Sequence, residues 1–137
     1  MKYNNKKCSY VFQHEQYDFD SKAEMNYFIK LSKKLQHFEI EKLKLQPNFL
    51  LQDGFTIKCD GVKSGKRKMS KISYTPDFEY FEDGKHIVVE VKGVADTSFR
   101  MRLRLFLARM EYYGIDEYHL VYKDNIEIYA KIVNAKR

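Results

Sequence analysis

The sequence predicts an α/β domain in which a central mixed sheet is flanked by helices. Three observations carry that expectation. A helical stretch opens at Asp20-Ser21, the run from Tyr74 to Gly93 reads as two strands joined at Asp83-Gly84, and a second amphipathic helix follows before a strand at Tyr118. The order is helix, strand, strand, strand, helix, strand, which suits helices packed against a sheet.

Residues 1–19 are polar and aromatic without a clear period and read as an N-terminal arm or a short irregular strand. Asp20 or Ser21 caps a helix from Lys22 to about Gln36, with Glu24, Phe28, Leu31 and Leu35 along one stripe. Glu24 is open to two readings. Ser21-x-x-Glu24 is a capping box, in which the glutamate only serves the helix end; yet Glu24 also lies on the apolar stripe. Residues 40–52 alternate enough for a strand, with Pro47 forcing an edge position or a break. From Asp53 to Lys71 the pattern dissolves into glycine and charge, predicting a mobile basic flap.

The Asp83-Gly84 dipeptide favours a two-residue hairpin turn. It sets Glu82 opposite Lys85, Tyr80 opposite Ile87, Phe78 opposite Val89 and Asp77 opposite Glu90. Alternation then places Phe78, Tyr80, Ile87, Val89 and Val91 on one face, and Asp77, Glu90 and Lys92 on the other. Opposed side chains on one face are about 5 Å apart at Cβ. Two negative charges at that distance repel by roughly 3 kcal/mol at an effective dielectric near 20. A divalent cation relieves that repulsion, and hard carboxylate oxygens suit magnesium. Lys92 points to the same side and is placed to orient a water or offset charge on phosphorus. The plain alternative is a surface salt-bridge cluster.

A second helix runs from Asp96 or Thr97 to about Tyr113, stopped by Gly114. Phe99, Leu103, Phe106, Met110 and Tyr113 form its buried stripe, and Arg100 and Arg104 are the arginines placed near the site. Met25, Met101 and Met110 read as packing residues. Tyr118 to Tyr122 is a strand, Asp124-Asn125 a turn, and residues 126–133 lean to strand over helix. His14, His37, His86 and His119 show no ligand spacing, and His86 shares the acidic face.

The 137 residues are most economically one domain, and their formal charge of +6 suits a polyanionic partner. Lys63, Lys66, Arg67, Lys68 and Lys71 carry five positive charges without a negative one between residues 63 and 71. Such a run is either a solvated loop or a contact to phosphates. Cys8 and Cys59 are far apart and indicate neither a zinc site nor a disulfide scaffold. No apolar run approaches membrane-spanning length and no secretory h-region is evident, so a soluble cytoplasmic protein without a membrane partner is expected.

Pro76-Asp77 followed by Glu90-Val91-Lys92 resembles the PD-(D/E)XK motif of the restriction-endonuclease-like nucleases. Asp20-Ser-Lys-Ala-Glu24 is similar to their first, acidic helix. Lys2-Tyr3, Gln46-Pro47, Tyr74-Thr-Pro-Asp-Phe78 and Glu90-Val-Lys-Gly93 more closely resemble small phage-type nucleases and the endonuclease subunit of heteromeric transposases, over roughly residues 2–108. The resemblance implies a restriction-endonuclease-like αβββαβ core. It implies a magnesium site, or manganese in its place, held by Asp77 and Glu90 with the Val91 carbonyl and Glu24 as further ligands. Lys92 then positions the attacking water and Gln46 neighbours the site. The implied function is endonucleolytic cleavage of DNA in phage or mobile-element recombination, in a bacterial or phage-infected cell. A homodimer or a transposition partner would accompany it. Two rivals remain: a DNA-binding accessory protein without catalysis, and a transposase subunit inactive without its partner.

Overall fold

A computed structural model describes residues 7–93, 96–122 and 125–131. The central layer is a five-stranded mixed sheet built from β3 (Glu41–Leu45), β8 (Phe78–Glu82), β9 (Lys85–Val91), β10 (Glu117–Tyr122) and β11 (Asn125–Lys131), in the spatial order β11-β10-β9-β8-β3. The β9–β10 pair is parallel and every other pair antiparallel. The chain is therefore an α/β protein with a mixed sheet.

The hairpin register is the one the Asp83-Gly84 turn dictates: Phe78 faces Val89, Tyr80 faces Ile87 and Glu82 faces Lys85. Asp83 and Gly84 both take positive φ, 52° and 78°, as a primed two-residue turn requires. Both faces of the sheet are covered. On one, α1 (Lys22–Gln36) packs Tyr27, Phe28 and Leu31 against Phe78, Tyr80, Ile87, Val89 and Val91. On the other, α2 (Thr97–Ala108) packs Phe99, Leu103 and Phe106 with Val88 and Tyr118. The acidic side of the β8–β9 hairpin is thus no open solvent face: Val88 is buried at its middle, with Glu79 and His86 paired towards the turn and Asp77 and Glu90 at the far end.

Several expectations need correction. The N-terminal arm is a hairpin among its described residues: β1 (Cys8–Phe12) pairs with β2 (Glu15–Phe19) in full register. Its turn, Gln13-His14, has φ of 51° and 68° without the usual Asn or Gly, which is why no turn signal shows in the sequence. Tyr10, Phe12, Tyr17 and Phe19 ring Phe28 of α1 at centroid distances of 4.8 to 6.2 Å. Aromatic packing by tertiary contact, which has no local period, holds this hairpin. Lys2-Tyr3 lies outside the described residues.

Residues 40–52 are two strands, β3 and β4 (Phe49–Gln52), separated at buried Pro47. The expected flap is ordered as a ribbon of β5 (Phe55–Lys58) and β6 (Lys66–Met69), while β4 pairs with β7 (Ile72–Tyr74). The second helix does not run unbroken to Tyr113: it ends at Arg109, and a single turn, α3 (Met110–Tyr113), follows. Gly114 closes that turn at φ 76°. Met101 is 63% exposed rather than packed, whereas Met110 is buried. Residues 125–131 are strand; Asp124 of the expected turn and residues 132–133 lie outside the described residues.

Candidate active site

The site lies where β9 ends and β8 begins, beside the first turns of both long helices. Pro76 is fully buried and fixes the approach to β8. Asp77 is tied down on three sides. Its N–H donates to the Val89 carbonyl at 3.1 Å, its carbonyl accepts from the Gln46 N–H at 2.9 Å, and its Oδ2 accepts from the Val91 N–H at 2.7 Å. Gln46 is therefore a backbone neighbour of the site, at φ 50°, with its side chain exposed.

Glu90 is buried, and its Oε1 accepts a hydrogen bond from the Tyr74 hydroxyl at 2.6 Å. Tyr74 in turn meets the Tyr118 hydroxyl at 2.8 Å. Burial and the facing Glu90 carboxylate hold Asp77 well above the usual carboxylate range. Burial also raises Glu90, against the opposing pull of the Tyr74 hydroxyl and Lys92. Each carboxyl thus raises the cost of ionising its neighbour, as two acids in one buried site do.

Glu24 is the third acid. Ser21 caps α1, its Oγ accepting from the Glu24 N–H at 3.2 Å, so one half of the capping box forms. The Glu24 carboxyl nevertheless belongs to the cluster: burial first, and then the charges of Asp77 and Asp20, push it up to about 7. Lys92 is the countercharge acting on Glu24, Asp77 and Glu90 alike. Its Nζ sits 4.3 Å from the Phe99 ring centroid, and its backbone N–H donates to the Val121 carbonyl at 2.8 Å. Ring and sheet together aim an otherwise flexible amine.

Four residues singled out from sequence, Glu24, Asp77, Glu90 and Lys92, thus form one electrostatic cluster. Val91 enters through its N–H to Asp77. Beside Glu90 and Lys92 opens a cleft of about 360 Å³, walled by Ser73, Tyr74 and Thr75 of the β7 end and by Asp96, Ser98, Phe99 and Arg102 of α2. Arg102 reaches it; Arg100 and Arg104 are exposed and not among its lining residues. Each is two positions from Arg102, about 200° around a helix of 3.6 residues per turn. Ser98 and Arg102 sit one turn apart, and Arg102 Nη1 donates to Ser98 Oγ. Tyr74, Ser98 and Arg102 were not legible as site residues. The one available signal was the Ser98-x-x-x-Arg102 spacing just after the Asp96 cap, whose Oδ1 accepts from the Phe99 N–H at 2.7 Å.

Lys63, Lys66, Arg67, Lys68 and Lys71 are exposed on or beside the β5–β6 ribbon and are not among the residues lining the cleft. His86 is structural, its Nε2 2.7 Å from Glu79 and its ring stacked on Phe81. His119 pairs with Glu117 in the same manner.

Among the described residues, no three His, Cys, Asp or Glu side chains form a group already arranged to hold a metal ion. The donor chemistry still fits magnesium, which needs only one or two carboxylates and completes its shell with water and phosphate oxygens. Mutually repelling acids raised by burial are what a dication neutralises, displacing any proton they retain.

A mixed sheet sandwiched between helices, with an acidic cluster and one lysine at its strand ends, defines an α/β protein with a site at the sheet rim. A family model matches residues 1–129, so the chain belongs to the family described as protein of unknown function (DUF1064). No curated protein matches the chain. No helix among the described residues is long and apolar enough to cross a membrane.

Proposed function

We propose that this protein is a magnesium-dependent DNA endonuclease with a restriction-endonuclease-like core. One observation carries the reading: Asp77, held by the Val91 N–H, and buried Glu90 face one another with both carboxyls raised, while Lys92 and the raised Glu24 act on the same pair. The order of the central elements, α1, β3, β8, β9, α2, β10, is compatible with an αβββαβ core.

Asp77 and Glu90 would hold the cation. Bound there, magnesium supplies Lewis acidity to the scissile phosphate and lowers the pKa of a water. Glu24, titrating at about 7, suits a proton acceptor at neutral pH. Lys92 orients the water and offsets negative charge developing on the phosphate, since its ammonium is fixed over Phe99. Val91 donates its N–H to Asp77 and keeps that carboxyl turned inward. Arg102 and Ser98, in the adjoining cleft, suit a neighbouring backbone phosphate. In-line attack would leave a 5′-phosphate and a 3′-hydroxyl.

Purified protein with linear, branched and supercoiled DNA tests this directly. Cleavage is expected with magnesium and not with EDTA, and is lost in Asp77→Ala and Lys92→Ala. Cutting that survives both substitutions removes these residues from the chemistry. A second reading, a DNA-binding accessory protein without catalysis, draws on the exposed basic residues of the β5–β6 ribbon alone. Binding of every substrate by wild type with no cleavage in magnesium or manganese would select it.

A further inference from the structure

The strands β4 and β5 on one side, and β6 and β7 on the other, are one ladder in two pieces. Gln52 pairs with Ile72, and pairing resumes at Phe55 with Met69, the same number of residues onward along each strand. At the interruption, a Cβ on Gly54 would come within 2.9 Å of the Met69 carbonyl oxygen, so the two strands approach there more closely than a side chain allows. The lower piece is rooted in the body. Leu51 and Tyr74 are buried, Arg109 Nη1 donates to the Leu51 carbonyl at 2.9 Å, and the Tyr113 hydroxyl donates to the Leu50 carbonyl. The upper piece is exposed at every residue of both strands. From Tyr74 in the cleft wall to Lys66 the ribbon spans at most about 26 Å, at about 3.3 Å per residue.

Its two faces differ in chemistry. Opposed and alternate positions put Phe55, Ile57, Met69 and Arg67 on one face and Thr56, Lys58, Lys66 and Lys68 on the other. Phe55, Ile57 and Met69 are 46%, 44% and 41% exposed, an apolar surface that an isolated two-stranded ribbon does not bury for itself. From Lys58 through Met69, five cations, Lys58 included, accompany a single acid, Asp60, so the complementary partner is polyanionic.

We infer that the β5–β6 ribbon is an arm that engages branched DNA, its lysine face following the phosphates and its Phe55-Ile57-Met69 face resting on bases unstacked at the branch. A two-stranded ribbon fits a major groove about 12 Å wide. Apolar side chains insert at unstacked base steps, and aromatic rings stack on bases of any sequence. The inference rests on the nuclease reading and narrows its substrate to DNA with a junction.

Fluorescence anisotropy of the full chain with a labelled four-way junction and a linear duplex of equal length, both in EDTA, separates the arm from any chemistry. Wild type is expected to prefer the junction. Lys58→Gln/Lys66→Gln/Lys68→Gln should weaken binding to both by at least about tenfold near 0.1 M salt and flatten the log–log salt slope by nearly 3, about 0.9 per lost phosphate contact. The charge-matched Lys30→Gln/Lys33→Gln/Lys44→Gln should do neither. Phe55→Ser/Ile57→Ser should keep duplex affinity and lose the preference for the junction. A wild type without that preference, a ribbon-lysine variant that binds like wild type, or a serine variant that keeps the preference overturns the inference. So does sedimentation showing that the serine variant dissociates a wild-type dimer, because the apolar face is then covered by a second copy. If the arm passes but wild type never cuts, the nuclease reading falls and the arm stands. If wild type cuts and the ribbon variants bind unchanged, the reverse holds.

Discussion

Tyr74 donates its hydroxyl hydrogen to Glu90 Oε1 at 2.6 Å, and the two residues come from different strands. Burial and the Glu90 charge push the Tyr74 phenol far above its ordinary range, so it stays a donor at any working pH. Tyr74→Phe removes that donor and leaves buried Tyr118 without its partner hydroxyl. Under the nuclease reading, the magnesium concentration for half-maximal cleavage should rise about tenfold or more, as when a group behind a metal ligand is lost. The rate at saturating magnesium should change far less. A magnesium titration of cleavage checks it; an unchanged midpoint would detach Tyr74 from the site.

The carboxyl pair sets a stability prediction that needs no substrate. Asp77→Asn keeps an oxygen for the Val91 N–H and replaces an acid whose ionisation burial and Glu90 oppose. Without divalent cations, its thermal midpoint at pH 8 should equal or exceed that of wild type. With about 10 mM magnesium, ample for a site of this kind, only wild type should gain. Scanning calorimetry with and without the ion reads both effects.

The pH dependence follows from Glu24. Its folded-state value of about 7 lies above its ordinary 4.5, so the folded protein keeps a proton that the unfolded chain releases between them. Its contribution to stability is therefore full below about 4.5 and is lost as pH rises through about 7. Urea midpoints of wild type should fall relative to Glu24→Gln across that window. If Glu24 accepts the proton of the attacking water, cleavage should climb through the same range on its acid limb. A parallel pair of stability profiles would show that Glu24 titrates normally.

Phe28 joins the N-terminal hairpin to the sheet. It touches the rings of Tyr10, Phe12, Tyr17 and Phe19 on one side and stacks on Phe78 at 6.2 Å on the other. Phe28→Ala should cost about 3–5 kcal/mol by urea denaturation. The amides of β1 and β2 should lose hydrogen-exchange protection before those of β10.

The Gln13-His14 turn offers the opposite sign. Both residues hold positive φ, a conformation that Asn and Gly adopt at lower cost. Gln13→Asn/His14→Gly should raise stability by about 0.5–1 kcal/mol, read as a higher urea midpoint at constant slope.

These residues also show what the amino-acid order discloses. The Asp83-Gly84 turn and strict alternation made the β8–β9 register readable to the residue, and with it the meeting of Asp77 and Glu90. Ser21 and Gly114 marked helix ends because cap chemistry is local. The β1–β2 hairpin escaped because Gln-His is an unusual turn and Phe28, distant in sequence, supplies its packing. The β5–β6 ribbon was obscured because neither of its faces is buried, so hydrophobic periodicity had nothing to report. Arg102 came into view only when the crossover through α2 laid that helix beside the cleft, and Tyr74 only when β7 folded against β9.

Because helices cover the central sheet above and below, the acidic cluster opens at the rim where β9 runs out. Under the nuclease reading, a long polymer would have to drape across that edge. Recognition would then fall to loops, helix tips and the ribbon, parts whose exchange leaves the interior packing untouched.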